Sequence, residues 1–127
     1  MAGTIVADTI QDGAGNSTSM DNAIYGSAKA WVNFTGTTTP TINASYNISS
    51  ITRGSAGVYR INMTNALADA NYSVIGMGNQ SSAYPNGYLM TKYDTGTAPT
   101  SSAFSVQTFN IATTSSDAGS VGIAVFR

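Results

Sequence analysis

From Ala28 onward this sequence is dominated by a two-residue alternation, which leaves no helical periodicity of useful length. In Ala28 to Phe34, the residues Ala28, Ala30, Val32 and Phe34 alternate with Lys29, Trp31 and Asn33. That is the period of a half-buried β-strand. The even positions face a core. Trp31, the only tryptophan, falls on the other face, where it can cover the mouth of a core or fill a contact with a neighbouring chain. Thr41 to Ser49 alternates most cleanly, with Ile42, Ala44, Tyr46 and Ile48 on one face and Asn43, Ser45, Asn47 and Ser49 on the other. This pattern predicts one strand of an antiparallel sheet with a wet outer side.

Ile51 continues the apolar set after a slip of one residue, as a β-bulge produces. Val58 to Thr64 alternates again with Tyr59, Ile61 and Met63 inward, and the Gly-rich turn Arg53 to Gly57 makes the two runs a β-hairpin. Tyr72 to Met77, Tyr88 to Tyr93, Phe104 to Ile111 and Val121 to Phe126 read as further strands. In the third of these the inward set changes from Phe104 and Val106 to Phe109 and Ile111, predicting another bulge. About seven or eight strands at this spacing predict a single antiparallel β-sandwich, jelly-roll-like, with an immunoglobulin-like topology as the alternative. The fold class is therefore all-β, with the sandwich over residues 27–127 and an extended N-terminal arm over residues 1–26.

The arm opens with Thr4-Ile5-Val6-Ala7-Asp8-Thr9-Ile10, a short strand, and continues as a polar Gly- and Ser-rich run from Gln11 to Ser19 that should be flexible in isolation. Ile5, Val6 and Ile10 are too few to build a core and too apolar for a plain linker. An arm that orders against another subunit satisfies both features.

The chain has no Cys, His or Glu, five Lys and Arg, and six Asp. Disulfides and Cys- or His-based zinc sites are excluded, as are Ser-His-Asp and Cys-His pairs. The five cations are scattered, whereas a phosphate backbone demands clusters of them, so no nucleic-acid partner is expected. No apolar run reaches the length of a transmembrane helix, and no signal-peptide pattern opens the chain. The seven Asn-x-Ser/Thr triplets are the chance product of a chain this rich in Asn, Ser and Thr. With so little charge, association incurs little desolvation cost, which suits a packing or assembly role.

No P-loop, dinucleotide fingerprint or Asp-x-Asp calcium series occurs, and no cofactor or metal is expected. Asp94-Thr95-Gly96 has the letters of an aspartic protease loop but sits among Gly, Thr, Ser and Pro, without the apolar segments that hold such a loop rigid, and reads as a turn. Tyr84, Tyr88 and Tyr93 bracket Pro85-Asn86-Gly87 in a composition typical of adaptable recognition loops. Tyr84 is the best contact candidate there; Tyr88 and Tyr93 are expected rather to pack on the sheet, with contact as the alternative for Tyr88.

The segments Gly26 to Phe34, Ala44 to Thr52, Gly57 to Ile61, Asp69 to Tyr72 and Val121 to Arg127, with Val6 to Gln11 upstream, resemble a module of tailed-phage virion proteins, notably of cyanophages and marine phages. The resemblance spans nearly the whole chain. It occurs in tail-fibre proteins and in small structural proteins. Fibre proteins that end in this module carry a long shaft upstream, whereas a short arm precedes it here. The resemblance therefore implies a non-enzymatic capsid cement or decoration subunit on the outer capsid surface, a homotrimer bound to the major capsid protein. The arm residues Thr4, Ile5, Val6, Asp8 and Ile10 would grip the shell, with Trp31, Tyr84 and Tyr88 as a further contact surface. The alternative is a tail-fibre or receptor-binding tip that recognises a host surface glycan. Neither reading involves a membrane.

Overall fold

A computed structural model describes residues 3, 5–79, 97–110 and 112–127, and the backbone of 89–92. Its elements run β1 (Thr9–Gln11), β2 (Ser17–Ser19), α1 (Met20–Tyr25), β3 (Ala30–Thr35), β4 (Thr41–Tyr46), β5 (Ile48–Ser55), β6 (Val58–Met63), β7 (Ser73–Asn79), β8 (Leu89–Lys92), β9 (Ala103–Phe109) and β10 (Ser120–Phe126). The last eight strands form two antiparallel four-stranded sheets, in the orders β4-β3-β10-β7 and β5-β6-β9-β8. The expected β-sandwich is thus present. Asp94 to Gly96 and the loop carrying Tyr84 and Tyr88 lie outside the described residues.

The core is built by the alternations that announced it. Ala30, Val32 and Phe34 of β3 and Val121, Ile123 and Val125 of β10 point inward from one sheet, and Tyr59, Ile61 and Met63 of β6 with Phe104 and Val106 of β9 meet them from the other. Phe34 and Tyr59 interlock edge to face across the sandwich, their ring centroids 5.2 Å apart. Burial of such side chains is the main stabilising term, worth roughly 1.5–3 kcal/mol each. The expected hairpin forms between β5 and β6, and the slip before Ile51 is a real bulge, since the register shifts between Ile48 and Ser50.

The cleanest alternation nevertheless does not form one strand. Thr41 to Ser49 divides at Asn47, so that β4 lies in one sheet and β5 in the other. Asn47 takes the left-handed conformation, φ 56°. Its side chain pins the corner: Nδ2 donates to the carbonyls of Lys29 (3.1 Å) and Asn65 (3.2 Å), and Oδ1 accepts the Asn65 N–H (2.8 Å). A residue that tolerates positive φ and bridges backbone from both sheets lets the chain change layers without a loop. Asn47→Gly should cost about 1–2 kcal/mol through lost hydrogen bonds, and Asn47→Ala about 1 kcal/mol more through added strain. Urea unfolding of the two variants checks both the size and the order.

Two further expectations are corrected. The register shift between Asn33 and Phe34 places an extra residue in β4, so Ile42 points inward while Ala44 and Tyr46 turn outward. Asn43 sits at that bulge, its Nδ2 bonded to Asn33 Oδ1. In β9 the inward set does not slip to Phe109. Thr108 stays buried, and its hydroxyl donates to the Ser116 carbonyl at 2.6 Å, so a polar residue holds a core position. Ile111 lies outside the described residues.

Candidate functional site: an N-terminal arm and an apolar sheet face

The arm has local structure of its own. β1 and β2 pair in register from Thr9↔Ser19 to Gln11↔Ser17. The run expected to be flexible closes around one carboxylate: Asp12 Oδ1 accepts the N–H groups of Ala14 and Asn16, both at 2.9 Å, and Oδ2 accepts Asn16 Nδ2 at 2.8 Å. Gly15 supplies the positive φ of 90°. The bonds from the Asn16 side chain and backbone hold the Asp12 carboxyl below its ordinary pKa. Ser19 then caps α1 by accepting the Asn22 N–H at 3.2 Å.

What this unit does not do is bury its apolar residues. Ile5, Val6, Ile10, Ile24 and Tyr25 are all exposed, Val6 at 94 %. Asp8 is used through its backbone, its carbonyl accepting the Met20 N–H at 2.8 Å. The extended contacts of α1 are with β1 and β2. Its tie to the sandwich runs through Lys29, whose Nζ donates to the Ile24 carbonyl at the helix C-terminus and to Ser27 Oγ (3.1 Å). Of the arm residues singled out from sequence, Thr4 lies outside the described residues.

Trp31 lies on the solvent side of the β4-β3-β10-β7 sheet, in the middle of a row. The register sets Tyr46 opposite Trp31, Trp31 opposite Ala124, and Ala124 opposite Ile75. Met77 lies in the next row, opposite Gly122. Exposure is 41 % for Trp31, 58 % for Tyr46, 63 % for Ile75 and 78 % for Met77. Four strands therefore present one contiguous apolar band to solvent, the kind of patch that marks an interaction surface. Sequence reasoning found Trp31 and missed the others. The alternation places Tyr46 inward because the bulge at Asn43 leaves no mark in it. Ile75 and Met77 belong to a strand whose inward positions include Gly76 and Gly78, which weakens the contrast between faces.

One end of the sandwich is closed by a polar lock. Arg53 grips Asp117 in a bidentate pair, Nε to Oδ1 at 2.9 Å and Nη2 to Oδ2 at 2.8 Å. Asp117 Oδ1 also accepts the Gly57 N–H at 2.7 Å and lies 3.1 Å from the Tyr59 hydroxyl. Tyr59 donates to the Gly36 carbonyl and accepts the Ala118 N–H at 3.3 Å. Burial opposes ionisation of Asp117, but the bonds from Arg53, the Gly57 N–H and Tyr59 outweigh it and hold the carboxyl below its ordinary pKa. Burial pushes the Tyr59 phenol up to about 12. Each of these groups faces a structural partner, so the cluster joins the sheets and carries no group aimed at a ligand.

Among the described residues no three metal-ligand side chains converge. The structure thus brings Trp31 together with Tyr46, Ile75 and Met77, leaves the arm residues on a separate unit, and joins the two through Lys29. No known protein family, curated protein or solved structure matches the chain.

Proposed function

We propose that this chain is a non-enzymatic structural subunit of a tailed-phage virion, a cement or decoration protein on the outer capsid surface that clamps the lattice of the major capsid protein. The observation that supports this reading is the division of labour in the chain. The sandwich completes its core between Ala30 and Val125, and the arm holds Ile5, Val6 and Ile10 uncovered. An apolar segment with strand character and no cover in its own subunit is suited to adding onto an edge of a neighbour. In a homotrimer several arms act together, so contacts that are weak singly add through effective concentration. The work is mechanical, resisting outward pressure on the shell, and uses no cofactor, nucleic acid or membrane.

Deletion of residues 1–25 should leave the sandwich folded, with its β-sheet circular dichroism and cooperative thermal unfolding retained, and abolish co-sedimentation with purified capsids. Unchanged capsid binding by the truncated chain would sink the reading. Copy number in virions separates it from a fibre tip: a number comparable to the shell protein fits decoration, and a small multiple of the tail symmetry fits a fibre or receptor-binding tip.

A further inference from the structure

We infer that the outer face of the β4-β3-β10-β7 sheet is the seat for the N-terminal arm of a second copy of this chain. The inference shares with the proposed function only the premise that the arm is a binding element. It rests first on the contrast between the two outer faces. On the β5-β6-β9 side, Asn62 bonds Ser50 (3.0 Å), Arg60 reaches Ser105 (3.3 Å) and Ser49 bonds the Asn62 carbonyl (3.1 Å), so the face is polar and satisfied. The opposite face carries the band of Tyr46, Trp31, Ile75 and Met77. Aromatic and Met side chains with few charges are the composition of an interface centre.

The same chain carries a matching piece. Ile5, Val6 and Ile10 are exposed, Ile10 on β1 and the other two on the segment that leads into it. Charge is divided to suit. Residues 1–26 contain Asp8, Asp12 and Asp21 with no Lys or Arg, a balance of −3; residues 27–127 contain all five basic residues against Asp69, Asp94 and Asp117, a balance of +2. Complementary charge of this kind favours encounter and fixes register.

The chain's own arm is otherwise engaged. Lys29 Nζ holds the Ile24 carbonyl, and α1 packs on β1 and β2 rather than over the band. Both unpartnered apolar surfaces are covered at once when each copy lays its arm on the face of the next. Such a head-to-tail contact closes into a ring under cyclic symmetry.

The test uses full-length chains and analytical ultracentrifugation. Wild type should sediment as an oligomer. Val6→Asp/Ile10→Asp, which spoils the arm, and Ile75→Asp/Met77→Asp, which spoils the face, should each sediment as monomers with an unchanged circular dichroism spectrum, since all four residues are exposed. An equimolar mixture of the two variants should recover association and stop at a 1:1 pair, because one supplies an intact face and the other an intact arm. Monomeric wild type, an oligomer that survives either variant, or a mixture that stays monomeric would overturn the inference. A monomeric wild type that still binds capsids through its arm would overturn this inference and leave the proposed function standing. An arm-dependent oligomer with no affinity for capsids would do the reverse.

Discussion

Gly57→Ala should destabilise the sandwich by about 3–4 kcal/mol and lower its Tm by roughly 10–20 °C. Gly57 closes the β5–β6 hairpin at φ 72°, a conformation that costs a residue with a Cβ about 1–2 kcal/mol. A Cβ there would also meet the Thr108 carbonyl oxygen at 2.6 Å and the Ser116 nitrogen at 2.7 Å, both backbone atoms that cannot swing aside. Relief requires the turn to move. Movement would break the Thr108 N–H bond to the Gly57 carbonyl (2.8 Å) and the Gly57 N–H bond to Asp117. Gly54→Ala is the internal control. It lies three residues away in the same hairpin, its φ is not positive, and its added Cβ would make an ordinary 3.7 Å contact with Val58. Thermal unfolding should leave that variant within about 1 kcal/mol of wild type, consistent with a permissive site.

Asp117→Ala should cost about 2–4 kcal/mol, because the carboxylate is the shared acceptor for Arg53, the Gly57 N–H and Tyr59. The same substitution should change the acid limb of stability. The folded pKa of Asp117 lies below its unfolded value near 3.8, so its contribution is fully present above that value and is lost as pH falls through the folded pKa. Wild type should therefore lose stability faster than Asp117→Ala on acidification below about pH 4. Equal slopes in chemical unfolding across that window would show that the carboxylate is not held as described. On the alkaline side the sign reverses. The Tyr59 phenol is raised to about 12, so the stability that it confers persists below its ordinary value of 10.0 and fades as pH climbs toward 12. Tyr59→Phe should remove that limb.

The β-sandwich was legible wherever the alternation was regular and the strand crossed one layer. β3, β6 and β10 follow from Val32, Ile61 and Ile123 and their neighbours at period two. What escaped depends on partners distant in sequence or on single residues that reset the period. Arg53 and Asp117 are 64 positions apart, and each sits in a segment that reads locally as a turn. Asn47 and Asn43 alternate with apolar residues like any wet-face position; only the opposing strands reveal one as a corner and the other as a bulge. Thr108 passes for an outward residue because its hydroxyl finds the Ser116 carbonyl only once the loop folds over it. Of the candidate surface, the arm and Trp31 were visible as apolar residues lacking a core to join. The company that Trp31 keeps was not, since it is assembled from four strands.

The pairing of β3 with β10 has a consequence for anything attached to this subunit. The body begins and ends on neighbouring strands, with Ala30 opposite Val125 and the Lys29 N–H bonded to the Val125 carbonyl at 2.7 Å. A passenger domain joined after Arg127 would thus emerge at the root of the arm and compete with it for space. A circular permutant that links that end to Ala28 and opens the chain in the β3–β4 connection, residues 36–40, would keep both sheets but leave the arm without an attachment. The fold thereby offers a display site at this end only where a passenger crowds the arm.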